Sequence, residues 1–292
     1  MSRKNDNSSE SPVPSMVDES EEDEADEDGW FLKDHSKTRK TVRKIWVDPD
    51  LGENLKPYQR SGVEFLWRNS FSDFNTSETG DPSRIGGCIL AHYMGLGKSL
   101  TTITALHTAL CCESMVAGSE SSSSTSAVAK KQKTRKPKPK PLLYTVLLVA
   151  PANTLTNWVD EVEKWTKDLD RKLPITNLGA HTAGSRRKCI RKWNEDTGGI
   201  MVLSDSTFLR AVDDIIEAGQ PDVLVLDEAH TMLKQSGNKG FKRLLDIQTK
   251  RRILLTGTPL QNNVTEYYRM VEYIRPGVIG IENEADFQEK YR

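Results

Sequence analysis

Four short runs constrain the fold of this chain more than any other feature: Thr145–Ala150 (TVLLVA), Gly199–Leu203 (GIMVL), Val223–Leu226 (VLVL) and Arg252–Leu255 (RILL). They are too short for buried helices and too continuously apolar for strands with one wet face. Between them lie stretches with helical spacing, Thr154–Trp165 and Asp205–Ala218. Short buried strands alternating with helices predict an α/β domain, a parallel sheet with helices on both faces. Upstream, Gly86–Ala91 adds a strand and Lys98 to about Cys112 a helix. Another helix opens at Pro57, a residue suited to the first helical turn. Trp158 and Trp165 share one face of their helix and read as core. No internal repeat is visible, so one such domain is expected.

Composition bounds the rest. A hydrophobic content of 36% suffices for one core of ordinary size. No apolar run approaches the roughly 20 residues of a membrane helix, and the polar opening, Met1–Glu10, is unlike a secretory signal. Cys88, Cys111, Cys112 and Cys189 show no C-x-x-C spacing, so a reducing compartment without zinc knuckle or disulfide framework is expected. The net charge of −1 conceals a division. Residues 1–28 hold Arg3 and Lys4 against eleven acids, a charge of −9, which leaves +8 on the remainder. Residues 1–44 therefore read as a disordered tail, acidic and then basic from Lys33 to Lys44, ahead of a folded domain at 45–292. Within that domain, about 117–140 is a low-complexity insertion joining Ser121–Ser124 to seven basic residues. The basic stretches suit solvated linkers, nuclear-import signals or contacts to a polyanion.

The chemistry sits at strand ends. Ala91-His92-Tyr93-Met94-Gly95-Leu96-Gly97-Lys98-Ser99 follows a strand and opens a helix, the context of a phosphate-binding loop. Gly95 and Gly97, flanking Leu96, let backbone amides close around phosphate oxygens at a helix N-terminus. Lys98 would reach the β- and γ-phosphates of ATP, and the Ser99 hydroxyl would ligate Mg²⁺. The usual pattern opens on glycine, where this chain has His92. A second segment, Leu224-Val225-Leu226-Asp227-Glu228-Ala229-His230, puts paired carboxylates at the end of a buried strand. Paired acids there are ordinarily a helix cap. Downstream of a phosphate loop, Asp227 is expected to hold Mg²⁺ through its water shell and Glu228 to polarise the attacking water. In open α/β sheets ligands sit at the carboxyl ends of strands, so both segments should converge.

In this order the motifs resemble those of the superfamily-two helicase-like ATPases, and within them the Swi/Snf group of DNA translocases. Leu55-Lys56-Pro57-Tyr58-Gln59-Arg60-Ser61-Gly62-Val63 is similar to the group's adenine-recognising segment, which implies that Gln59 reads the base. Leu148-Val149-Ala150-Pro151-Ala152-Asn153-Thr154-Leu155-Thr156-Asn157-Trp158, running on to Glu161 and Trp165, resembles the segment after the second strand. Leu255-Thr256-Gly257-Thr258-Pro259-Leu260-Gln261-Asn262-Asn263 matches the third motif, implying that Thr256, Gly257 and Thr258 couple nucleotide state to DNA grip. His92 ahead of Met-Gly-Leu-Gly-Lys resembles the ATRX-like branch.

The resemblance implies a RecA-like parallel sheet of the P-loop NTPase type, forming a single lobe. It implies ATP and Mg²⁺ as cofactors, a DNA-dependent ATPase activity, double-stranded DNA or chromatin as partner, and the nucleus as location. Backbone contacts to DNA would fall at Asn153, Thr154, Asn157 and the region after Ser204, positions that helix caps also favour. The family's second RecA-like lobe, which supplies the arginine fingers, has no counterpart before Arg292. A partner lobe in cis or in trans is therefore expected for hydrolysis and translocation. The alternatives are a hydrolysis-deficient nucleotide- or DNA-binding module, and an RNA helicase, against which the Asn157-Trp158 and Gly257-Thr258-Pro259 segments argue.

Overall fold

Apolar residues of neighbouring strands lie side by side in a six-stranded sheet. The computed structural model describes residues 29–34, 43–71, 87–111, 143–233, 239–257, 264–281 and 283–291. The acidic tail to residue 28, the insertion at 117–140 and the segment 258–263 lie outside them. An antiparallel pair, β1 (Phe31–Asp34) and β2 (Arg43–Trp46), precedes α1 (Pro49–Glu53) and α2 (Pro57–Ser70). Then follow β3 (Gly87–Ala91), α3 (Lys98–Cys111), β4 (Thr145–Ala150), α4 (Leu155–Thr166), β5 (Ile175–Asn177) and α5 (Ala183–Lys192). The rest comprises β6 (Gly199–Ser204), α6 (Asp205–Ala218), β7 (Val223–Leu226), α7 (His230–Leu233), α8 (Lys239–Leu245), β8 (Arg251–Thr256), α9 (Val264–Ile274) and α10 (Glu284–Tyr291).

The sheet order is β3-β8-β7-β4-β6-β5, every pair parallel. This is the expected α/β fold. Successive strand residues point to opposite faces, and the core divides accordingly. Val146, Leu148, Ile200, Val202, Val225 and Ile253 pack with α2, α3 and α4. Leu147, Val149, Met201, Leu203, Leu224 and Leu254 pack with α6, α8 and α9. Each large apolar side chain so buried is worth about 1.5–3 kcal/mol, which explains why strands without polar positions must be central.

Two local features hold the frame. Phe208, Ala211, Val212 and Ile215 give α6 one buried stripe at helical spacing. Its start is capped by the Ser204 hydroxyl, which accepts from the Thr207 N–H at 3.3 Å. At the opposite end of the sheet, Asp222 fastens three strands together. Its Oδ2 accepts from the Tyr144 and Thr145 amides at 2.7 and 2.8 Å, and its carbonyl accepts from the Thr249 hydroxyl at 2.7 Å.

Strand β1 lies inside the stretch read from charge as part of the tail. Leu32 and Ile45, paired across the hairpin, are each 1% exposed, and the Trp30 ring lies 5.6 Å from the Arg60 guanidinium on α2. The consecutive Trp30, Phe31 and Leu32 give this hairpin a buried face, which a charge count over the whole stretch obscures. Among the described residues, no helix is long and apolar enough to cross a membrane.

Candidate active site

Because all six strands are parallel, the segments following β3, β4, β7 and β8 leave the same edge of the sheet. The first, from Ala91 to Lys98, turns through Gly95 and Gly97 at φ of +84° and +72°, values that side-chain-bearing residues avoid. A Cβ on Gly95 would meet nothing within 4 Å, whereas one on Gly97 would lie 2.1 Å from Gln59 Nε2. Gly95 is required by the turn, and Gly97 by both the turn and a close approach to α2.

Gln59 is what approaches. It is 6% exposed; its Oε1 accepts from the Lys56 N–H at 2.9 Å, and its Nε2 donates to the Leu96 carbonyl at 3.3 Å. One side chain thus ties the start of α2 to the loop, and keeps one further lone pair and one N–H. Lys98, at the start of α3, donates from Nζ to the His92 carbonyl at 2.9 Å, with the Tyr93 carbonyl at 3.5 Å. The ammonium therefore occupies the mouth of the loop, with Ser99 next to it in the first turn of α3. The His92 ring stands edge-on to Tyr58, centroids 6.5 Å apart, and its Cε1 is 3.6 Å from where a Cβ on Gly62 would lie. Burial, together with the Lys98 charge, pushes the His92 pKa below its ordinary value. Both effects favour the neutral imidazole.

The carboxylates leave β7 through a strained step. The Asp227 N–H continues the ladder to the Val149 carbonyl at 2.8 Å, and the Ala229 N–H reaches the Leu255 carbonyl at 3.0 Å. Between them Glu228 has φ +45°, a left-handed conformation that costs a non-glycine residue roughly 1–2 kcal/mol. Such strain concentrates at functional sites. Asp227 Oδ1 accepts from the Glu228 N–H at 3.0 Å, and Oδ2 from the Trp158 indole N–H at 2.9 Å. Burial pushes the Asp227 carboxyl up from the ordinary range; the Trp158 donor opposes this and the Glu228 charge adds to it. Glu228 Oε2 lies 3.5 Å from both His230 Nδ1 and the Gly257 N–H, and Thr256 Oγ1 lies 3.5 Å from the same imidazole nitrogen. A Cβ on Gly257 would come within 3.0 Å of Met94 Cγ and 3.7 Å of Lys98 Nζ, so β8 ends against the phosphate loop. Thr258, expected to act with Thr256 and Gly257, lies outside the described residues.

The site therefore gathers Gln59, Gly95, Leu96, Gly97, Lys98, Ser99, Asp227, Glu228, Thr256 and Gly257 at one sheet edge. The residues fit a nucleotide with a divalent cation. His92 Nδ1 is buried without a hydrogen-bond partner among the described residues, a donor or acceptor left for a polar ligand. Ser99 and Asp227 offer hard oxygen donors, the pairing Mg²⁺ accepts when phosphates complete its shell. At the head of α4, Asn153 and Asn157 are exposed, and Thr154 donates its hydroxyl to the Pro151 carbonyl at 2.9 Å. Ser204 differs: it is 6% exposed and occupied as the α6 cap, so any backbone contact there falls to the turn after it.

Two residues of the site escape sequence reading. Trp158, read as core, is indeed 2% exposed, but its N–H is bonded to a site carboxylate. The only sequence signal is its place directly after Asn157. His230 lies between Glu228 and Thr256 of β8, and its position in the Asp-Glu-Ala-His run signals it. Trp165 is half-buried and donates to Glu161 at 2.7 Å.

Similarity to known proteins follows the same residues. The family model described as SNF2-related domain matches residues 58–292. Protein CHROMATIN REMODELING 20 of Arabidopsis thaliana is 32% identical over 261 residues, covering 85% of this chain and 16% of that protein. Transcriptional regulator ATRX of Homo sapiens is 32% identical over 254 residues, covering 81% and 9%. The DNA repair and recombination protein RAD54-like of Gallus gallus is 32% identical over 244 residues, covering 82% and 29%. This chain thus spans 9–29% of these relatives' lengths. Among solved structures, the Sulfolobus solfataricus SWI2/SNF2 ATPase core in complex with dsDNA matches with a TM-score of 0.54 at 24% identity, over 81% of this chain and 38% of that one. The family match opens one residue before Gln59 and runs to Arg292, taking in the motifs read above apart from Leu55–Pro57; the chain belongs to the SNF2-related domain family, and its sheet is that family's RecA-like ATPase fold.

Proposed function

We propose that this chain is the ATP-binding lobe of a nuclear, ATP-dependent DNA translocase of the chromatin-remodelling type. It binds Mg²⁺–ATP at the loop 92–99 and couples hydrolysis to movement along duplex DNA when joined by a second RecA-like lobe. The observation that carries this reading is the arrival of Lys98 and of Asp227 with Glu228 at one sheet edge, within a fold of this family. Gln59 orients the base, and His92 closes the loop's first position beside it. The loop amides and Lys98 bind and neutralise the phosphates. Ser99 and Asp227 hold Mg²⁺, which when bound neutralises charge on the phosphate oxygens. Glu228 orients the attacking water and draws its proton. His230, Thr256 and Gly257 connect that carboxylate to β8 and so to Thr258. Asn153, Thr154 and Asn157 meet the DNA backbone, where contacts carry no sequence information.

Titration of a fluorescent ATP analogue with Mg²⁺, followed by ATPase measurement with duplex DNA, tests the reading. Lys98→Ala should weaken binding about tenfold or more, the order expected for losing a charge-assisted contact. A wild-type chain that does not bind ATP would overturn the proposal. Binding without turnover in the presence of a second lobe would make it a silent nucleotide-binding module. Stimulation by RNA exceeding that by duplex DNA would point to an RNA helicase.

A further inference from the structure

The bond between Trp158 and Asp227 joins residues 69 positions apart, and apolar packing does not require it. The indole is 2% exposed and shares α4's buried face with Leu155 and Val162, where a phenylalanine ring would meet the same apolar neighbours. What tryptophan adds is one N–H that can only donate. Its acceptor, at 2.9 Å, is the carboxylate assigned above to Mg²⁺. The other oxygen of that carboxylate receives the Glu228 N–H at 3.0 Å. With one protein donor on each oxygen, the plane of the carboxylate is fixed, while each oxygen keeps a lone pair to offer outward. Hydrogen-bond partners of this kind orient metal-binding groups and tune them.

We propose that Trp158 is a positioning residue for Asp227, holding the carboxylate so that its remaining lone pairs face the divalent cation. The proposal rests on the nucleotide-binding reading of the site. It predicts that the Trp158 N–H matters to the Mg²⁺-dependent part of nucleotide binding and not to the part that loop and base contacts provide.

The test is a titration of a fluorescent ADP analogue into the full 292-residue chain, once in Mg²⁺ and once in EDTA, beside a thermal melt. Trp158→Phe should keep the wild-type affinity in EDTA and lose about tenfold in Mg²⁺, the usual scale for removing a partner of a metal-binding group. Val162→Ala, on the same buried face, should melt earlier yet keep the wild-type gain from Mg²⁺. In an Asp227→Asn background, Trp158→Phe should add no further loss. If Trp158→Phe does not fold, 3-benzothienylalanine placed at position 158 deletes the N–H while keeping the shape of the ring. Equal losses in Mg²⁺ and EDTA, a wild-type Mg²⁺ effect in the N–H-deleted protein, or a loss additive with Asp227→Asn would each overturn the proposal. A wild-type chain that binds nucleotide without any help from Mg²⁺ overturns the site reading along with it.

Discussion

The two loop glycines look equivalent in sequence but answer to different forces. Each has positive φ, which alanine tolerates at a cost of roughly 1–2 kcal/mol. Only Gly97 also faces a neighbour, with Gln59 Nε2 at 2.1 Å from a would-be Cβ. Gly95→Ala should therefore lower stability by about 1–2 kcal/mol while leaving Gln59 in place. Gly97→Ala must also expel Gln59, breaking its bond to the Leu96 carbonyl and uncoupling α2 from the loop. Nucleotide titration and thermal melts on both variants check this. Gly97→Ala should cost markedly more affinity than Gly95→Ala, and equal effects would mean that only backbone strain matters. Glu228 carries the same kind of strain at φ +45°, but the role proposed for it needs a carboxylate, which glycine cannot supply.

Among the elements, the sheet separates chemistry from support. Its carboxyl edge bears the site, and its amino edge is clamped by Asp222, which holds the starts of β4 and β8 through the bonds described. Asp222→Ala leaves the half-buried Tyr144 and buried Thr145 donors without that acceptor. Unfolding in urea should show a loss of about 2–3 kcal/mol, the scale for bonds to a charged group. Nucleotide affinity should change little, because the clamp lies a strand's length away. A large fall in affinity at unchanged stability would refute this division. Nothing in the sequence marks Asp222 for this task, since it precedes an apolar run like many a loop acid. By contrast, β4, β6, β7 and β8 are legible because burial on both faces confines polar residues to the strand ends, and their α3, α4 and α6 partners show helical spacing. The edge strand β5 escapes notice at three half-buried residues, Ile175–Asn177. Hairpin β1–β2 is hidden by the charges around Leu32 and Ile45. The site's loop and carboxylates are legible because the phosphate chemistry proposed for them permits few residues at those positions. The Trp158–Asp227 bond is not, because apolar packing alone accounts equally well for a tryptophan on that helix face.

At the scale of the molecule, the described residues of the proposed nucleotide site gather at the edge of one RecA-like sheet, with Lys98 as a cation at the loop that follows β3. Negative charge developing on the transferred phosphoryl group calls for further positive charge from the open side of that edge. The resemblance assigns this to arginines on a second lobe. Contributions of that kind are worth about 10³–10⁵ in turnover, far more than any adjustment within this lobe. The 292-residue chain should therefore bind Mg²⁺–ATP, turn it over slowly and show little response to duplex DNA. Supplying a second lobe, fused or in trans, should raise DNA-dependent turnover by about 10³ or more. Glu228→Gln should abolish that gain while leaving nucleotide binding intact, because in the proposed mechanism Glu228 acts on the attacking water and not on the phosphates. Turnover assays with and without DNA and with and without the added lobe make the comparison. Strong DNA stimulation of the chain by itself would show that its own residues complete the charge at the open edge.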